Sequence, residues 1–256
     1  MRALVTGAGA RLGAAIARAL AEDGHDVALH YHSSGTGAEA LADDIRRMGR
    51  AATAIGADLL DLDACESLVS RAAAGLGGPL DLLVNNASIF EHDDLQTATR
   101  ESWDRHIGSN LRAPFILMQA FAAQAPDTGT DGEPLASACI VNMIDQRVRK
   151  PTPEFMTYTL AKSALWTLTR TAAQALAPRI RVNAIGPGPT LRGTRQSERH
   201  FAEQRAATIL ERGASAEDIV AALRYIVTAP ALTGQLLCID GGQHLAWRTP
   251  DILGLE

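Results

Sequence analysis

Short apolar or β-branched runs alternate along the chain with longer, alanine-rich stretches. Ala3 to Val5, Asp26 to Tyr31, Ala52 to Ile55, Leu80 to Val84, Ala138 to Met143, Ile180 to Ala184 and Leu236 to Ile239 have the length and side chains of strands. Leu12 to Asp23, Gly37 to Met48 and Thr157 to Ala175 repeat their apolar positions at the helical period. Strand and helix alternate throughout, which predicts an α/β domain: a doubly wound parallel sheet of seven strands with helices on both faces. The polar stretch Asp127 to Pro134 is expected to be a surface loop leading into the Ala138 strand. A second irregular region, Gly186 to Arg212, carries Arg192, Arg195, Arg199, Arg205 and Arg212. It is either a solvated helix and loop or, at about residues 189–213, a lid over a site fed from the strand ends.

Composition narrows this picture. The 256 residues contain no repeat, low-complexity tract or linker, and 46% apolar content suffices for one core, so residues 1–256 are expected to form one domain. A net charge of −5 with scattered basic residues gives no reason to expect nucleic acid or an anionic membrane as partner; a small-molecule substrate is expected instead. No apolar run approaches the roughly 18 to 20 residues of a membrane span, and a strand begins at Arg2, so a cytoplasmic protein is expected. Cys65, Cys139 and Cys238 are far apart and lack CxxC spacing, which fits inert thiols and neither disulfides nor zinc. His92, beside Asp93 and Asp94, has no further ligands at a recognisable spacing; a solvated turn is expected there, and no metal.

The first strand runs into VTGAGARLG, residues 5 to 13. After a parallel strand, such a turn delivers the chain to a helix N-terminus, whose unpaired N–H groups favour a pyrophosphate. Gly7 and Gly13 supply the tight turn and close helix approach, Leu12 lies between, and Arg11 stands where many such loops carry glycine. The second strand ends Leu29-His30-Tyr31-His32-Ser33-Ser34, without the acid that would bind a ribose 2′-hydroxyl. Donors from Tyr31, His32, Ser33 and Ser34, with the Arg11 charge, suit a 2′-phosphate, so NADP(H) is the expected cofactor rather than NADH. Asp58, followed by Leu59 after the third strand, is placed to accept from the adenine amino group, to cap a helix, or both.

Tyr158 and Lys162 form YxxxK inside a helix, on one face at i, i+4. A phenol titrates near pH 10 unless a neighbouring ammonium stabilises the phenolate, which Lys162 can do. Taken in order, TGAGARLG, Asn85-Asn86-Ala87, Asn110, YxxxK, Gly186-Pro187-Gly188 and Asp240-Gly241-Gly242 resemble the motifs of the short-chain dehydrogenase/reductase family over essentially the whole chain. The resemblance implies a Rossmann-type fold and a homo-oligomer, commonly a tetramer. It makes Tyr158 the proton donor, gives Lys162 the nicotinamide ribose and the lowering of the tyrosine pKa, and has Asn110 hold a relay water. Asn86, Ala87, Pro187 and Gly188 would line the cofactor.

Where most of that family carries a serine thirteen residues before the tyrosine, this chain has Asp145. A carboxylate cannot donate to a developing alkoxide, so a simple ketone fits poorly, whereas a heterocycle with amino and ring N–H groups offers it donors. Arg11, HYHSS, NNASIF, GSN at 108 to 110 and NMID resemble the pteridine reductases within the family. By that resemblance Arg11 meets cofactor phosphate and pterin, Ser88 meets cofactor or substrate, Phe90 stacks the pterin against the nicotinamide, and Asp145 and Tyr158 organise protonation. Stacking on an aromatic ring suits a flat bicycle, and the other reading of Phe90 is core packing. Ser33 stands where some pteridine reductases have an arginine, and HLAWRTPDILGLE extends beyond the usual ending. The expected activity is NADPH-dependent reduction of a dihydropterin or folate ring. A carbonyl reductase with a protonated Asp145, or a non-catalytic NADPH-binding sensor or scaffold, are the alternatives.

Overall fold

The computed structural model describes residues 1–193 and 196–247. Its strands are β1 (Arg2–Val5), β2 (Asp26–Tyr31), β3 (Ala52–Gly56), β4 (Leu82–Asn85), β5 (Gly129–Thr130), β6 (Pro134–Leu135), β7 (Ala138–Met143), β8 (Ile180–Pro187) and β9 (Leu236–Ile239). Its α-helices are α1 (Arg11–Glu22), α2 (Gly35–Arg47), α3 (Leu62–Gly75), α4 (Arg100–Ile107), α5 (Ala113–Gln124), α6 (Met156–Leu176), α7 (Glu198–Ala206) and α8 (Ala216–Thr228). All strands except β5 and β6 form one parallel sheet in the order β3-β2-β1-β4-β7-β8-β9. The order reverses between β1 and β4, and a crevice opens there at the carboxyl ends of the strands.

Alternate side chains of each strand face opposite layers. Val5, Leu29, Val84, Val141 and Ile185 pack with Ile16 and Leu20 of α1, Ile45 of α2, and Leu223 and Ile226 of α8. Leu4, Leu83, Ile140 and Val182 pack with Leu68 of α3, Leu117 and Phe121 of α5, and Ala173 of α6. Burial on both faces is why the strands read as nearly unbroken apolar runs. At the carboxyl ends a polar pair interrupts this: Asn85 Nδ2 donates to Asn142 Oδ1 (2.9 Å), and Asn142 Nδ2 donates to Thr169 Oγ1 of α6 (3.0 Å). All three residues are buried, so the sheet edge and the YxxxK helix are locked together.

Three local expectations need correction. Leu80 lies outside β4 because both its backbone groups are taken by the Gln124 side chain (2.6 and 3.0 Å). The 127–134 loop contains a short antiparallel hairpin, β5–β6, turned at Gly132 with φ +115°. Gly186 and Pro187 belong to β8, because the edge strand β9 continues to pair with them through Cys238 and Ile239. The rest of that irregular region includes α7, opened by a Ser197 side-chain cap to the His200 N–H. Arg195 and the tail from residue 248 lie outside the described residues. Among the described residues no helix is long and apolar enough to cross a membrane.

Candidate active site

The glycine turn leads directly into α1, whose N-cap residue, Ala10, offers no side-chain cap. The first N–H groups of the helix are therefore open to an anion. A β-carbon at Gly13 would sit 2.1 Å from the Gly7 carbonyl oxygen, and one at Gly9 would sit 2.2 Å from Ser34 Oγ. Both contacts are impossible, so the turn can close onto its neighbours only with glycine at these positions.

A cleft of about 670 Å³ runs along this turn, lined by Gly7, Arg11, Leu12 and Gly13 on one side and Asn86, Ala87 and Ser88 on the other. His32, Ser33 and Ser34 line one end, and Asp58 and Leu59 flank it. Tyr31 does not join them. Its ring is packed where β-carbons at Gly35 and Gly56 would touch it, because strand alternation turns it to the face opposite His30. Asp58 does not cap α3; that role belongs to Asp61, which accepts from Asp63 and Ala64 N–H, while Asp58 accepts from Leu60 N–H (2.9 Å) and lies 3.5 Å from His32 Nδ1.

Arg11 has φ +53°, a left-handed conformation that explains why glycine is the usual occupant of such a position. Its guanidinium donates to the carbonyls of Arg192 (2.8 Å) and Leu191 (3.2 Å), spanning from the glycine turn to the 189–193 segment. His30 is a participant that sequence reading passed over. It is buried, accepts the Gly7 N–H at Nδ1 (3.1 Å) and donates from Nε2 to the Ala57 carbonyl (3.1 Å). Burial pushes its pKa down to about 4, which preserves the neutral tautomer that this bonding requires. Its signal in the sequence was a histidine at an inward position of an apolar strand. Thr6 completes the support: its Oγ1 accepts from the Asn86 and Ala87 N–H groups (both 2.9 Å), and Asn86 Nδ2 donates to the Thr6 carbonyl (2.8 Å).

The residues expected to react gather beyond Ser88. Tyr158 is 5% exposed, and its hydroxyl donates to Asp145 Oδ2 (3.0 Å), while Asp145 Oδ1 accepts from Arg147 N–H (2.8 Å). Burial and the adjacent Asp145 carboxylate raise the phenol well above its ordinary value. The shift runs opposite to the expected lowering: the Asp145 carboxylate is bonded to the hydroxyl, and Lys162 Nζ is turned to the Met143 carbonyl (2.8 Å), 5.7 Å from the centre of the Tyr158 ring. Lys162 is buried, and desolvation brings its pKa down to about 8. Burial also raises the Asp145 carboxyl above its ordinary value.

Phe90 is 49% exposed and not core. Its ring stacks on Phe155 (4.2 Å between centres) and meets Tyr158 edge-on (4.7 Å). Asn110, in a π-helical turn at Gly108–Arg112, joins both its amide atoms to the backbone of Ile89 (3.0 and 2.8 Å), so its side chain braces the loop while each atom keeps one further hydrogen-bonding position. Gly188 lies against Asp240, where a β-carbon would approach to 2.6 Å, and its N–H continues the β8–β9 pairing; neither it nor Pro187 is among the residues that line the cleft. The turn expected at His92 is not uniformly solvated, since Asp93 is buried. Among the described residues no cluster could hold a metal ion. Burial raises the thiols of Cys65 and Cys139 to about 11, as inert cysteines require.

A glycine turn at the topological switch point, with a carboxylate just after β7 and a tyrosine and a lysine on α6 beside it, defines a dinucleotide-dependent oxidoreductase. Residues 7–244 match the family model described as enoyl-(acyl carrier protein) reductase. The chain belongs to the short-chain dehydrogenase/reductase family, in its pteridine reductase-like part. It is similar to pteridine reductase 1 of Leishmania tarentolae, 33% identical with 95% of this chain and 96% of that one covered. It is also similar to the 3-oxoacyl-[acyl-carrier-protein] reductase FabG of Staphylococcus aureus, 32% identical over 95% and 98%. Among solved structures it matches FolM alternative dihydrofolate reductase 1 of Brucella suis in complex with NADP, with 44% identity, 98% of each chain covered and a TM-score of 0.91.

Proposed function

We propose that this oxidoreductase uses NADPH to reduce a C=N bond in a dihydropterin-type ring of the pterin or folate class. NADP(H) fits the residues present: an uncapped helix start faces the cleft, and β2 ends in His32, Ser33 and Ser34 without an acid. The Brucella suis relative was solved with NADP. Bound there, the cofactor supplies a hydride to a ring carbon; the chain's own residues supply the proton and the orientation. Arg11 and the α1 N-terminus would hold phosphate, and Lys162 the nicotinamide ribose.

The observation that carries the reading is Asp145 bonded to the Tyr158 hydroxyl beside the half-exposed ring of Phe90. Phe90 offers a flat apolar surface to a bicyclic ring. The Asp145 carboxylate accepts from ring amino and N–H groups, and the protonated Tyr158 phenol gives its proton to the adjacent ring nitrogen as hydride reaches carbon. The names of the Leishmania and Brucella relatives support the same chemistry.

Steady-state assays of NADPH oxidation with dihydrobiopterin, dihydromonapterin and dihydrofolate test the reading. Turnover of at least one is expected; none, alongside brisk turnover of a ketone or 3-oxoacyl thioester, would overturn it. The second class has an observation in its favour, because the raised Asp145 carboxyl could stand in for a serine hydroxyl, and the Staphylococcus relative acts on a 3-oxoacyl group by name. Asp145→Ser separates the two. Under the pterin reading, turnover of the dihydropterin falls by about 10²-fold or more; under the carbonyl reading, ketone turnover is kept or improved.

A further inference from the structure

Behind the reacting tyrosine lies a buried polar cluster that the proposed reaction does not use: Asp93, Thr157 and His106, which are 2%, 2% and 0% exposed. The carbonyl of Asp93 accepts the Met156 N–H (3.2 Å), its Oδ1 accepts the Thr157 N–H (3.1 Å), and its Oδ2 accepts the hydroxyls of Thr157 and Ser102 (the latter at 3.0 Å). Helix α6 has no cap of its own, since Phe155 precedes it in a left-handed conformation without a side-chain hydrogen bond. Asp93 therefore acts as a cap supplied from another part of the chain. Its carboxylate lies at the N-terminal ends of both α4 and α6, where the helix dipoles favour negative charge. Burial raises its pKa, but the bonds from Thr157 and Ser102 outweigh that, and the carboxyl is held below its ordinary value.

His106 completes the unit. Its Nε2 accepts the Glu91 N–H (3.1 Å), which leaves the proton on Nδ1 to be donated to Thr157 Oγ1 (2.6 Å); the Thr157 hydroxyl in turn donates to Asp93. Phe90 is thus clamped through the backbone on both sides, by Asn110 at Ile89 and by His106 at Glu91. Tyr158 directly follows Thr157.

We infer that Asp93, Thr157 and His106 are positioning residues that fix the Phe90 ring relative to the Tyr158 hydroxyl and so set the geometry of the substrate slot. The inference rests on the reading that Phe90 and Tyr158 border the substrate, not on which substrate it is. One unit ties the loop bearing Phe90 to the helix bearing Tyr158, through a hydroxyl that no generic helix cap requires. A misplacement on the order of 1 Å between such groups costs up to about 10²-fold in rate.

The test compares Thr157→Val, which keeps side-chain shape and loses the hydroxyl, with Thr157→Ser, which restores it. Asp93→Asn is a second, independent route that keeps one acceptor and removes the charge. Kinetics are measured on whichever substrate class the wild type turns over, together with the NADPH Kd and thermal midpoint. The ¹⁹F resonance of Phe90 in fluorophenylalanine-labelled protein reports the ring without any turnover. The expected result for Thr157→Val and Asp93→Asn is a fall in kcat/KM of roughly tenfold or more, an unchanged NADPH Kd, a displaced Phe90 resonance, and recovery in Thr157→Ser. Wild-type turnover with an unmoved resonance overturns the inference. So does a parallel loss of NADPH affinity, stability and turnover, which would mark the cluster as a structural cap alone. If the wild type reduces no pterin, the proposed function fails, while the Phe90 resonance still decides this inference.

Discussion

Arg11 shows how one residue can carry a backbone cost for a contact. A non-glycine residue at φ +53° costs about 1 kcal/mol, and what it gains here is a guanidinium that bridges the glycine turn to Leu191 and Arg192. Arg11→Gly is therefore expected to leave the thermal midpoint unchanged or slightly raised while increasing the KM for NADPH severalfold. An unchanged KM would remove Arg11 from the cofactor site. Lys162 provides a second residue-scale prediction. With its pKa lowered to about 8, the ammonium that would bind cofactor hydroxyls is lost as pH rises through that value. The kcat/KM for NADPH, which reports the free enzyme, should fall above about pH 8. Lys162→Arg, whose charge does not titrate in this range, should lack that alkaline limb even if its plateau is lower.

Between elements, His30 links the glycine turn after β1 to Ala57 after β3, from within β2. Its folded pKa, about 4, lies below the unfolded value near 6.5, so between these the unfolded chain binds more protons. Stability from this site is fully present above about pH 6.5 and is lost as pH falls toward 4. A shift of this size corresponds to something on the order of 3 kcal/mol. Urea unfolding at pH 7.5 and pH 5 should show a larger loss in the wild type than in His30→Gln, which has no proton to gain. Equal losses would place the acid sensitivity elsewhere.

Across the whole molecule, two apolar layers sandwich one sheet, yet Phe115 on α5 and Leu160 on α6 remain 45% and 46% exposed, with Trp103 on α4 similarly open. Large apolar side chains on neighbouring helices are the kind of surface that a second copy covers. Sedimentation should accordingly report an oligomer, the state that the family resemblance implies, and Leu160→Glu should shift it toward monomer. A wild-type monomer would refute this expectation.

Much of this architecture was legible in the chain itself. Strands β2, β7 and β9 begin and end where their apolar runs do, and the ordered motifs were enough to indicate the fold, the dinucleotide turn and the family. These features are local: period, turn residues and i, i+4 spacing are properties of neighbours in sequence. The rest depended on which distant groups meet. Leu80 left β4 for Gln124, Tyr31 turned away from the cleft on strand alternation, and Tyr158 was raised rather than lowered because it is buried and its hydroxyl is bonded to the Asp145 carboxylate. Asp93, which looked like part of a solvated turn, became the cap of a helix 63 residues further along the chain. The sequence determined the elements and the kinds of chemistry available. Only tertiary packing decided which side chains share a hydrogen bond or a dry pocket, because burial and charge act over distances in space and not along the chain.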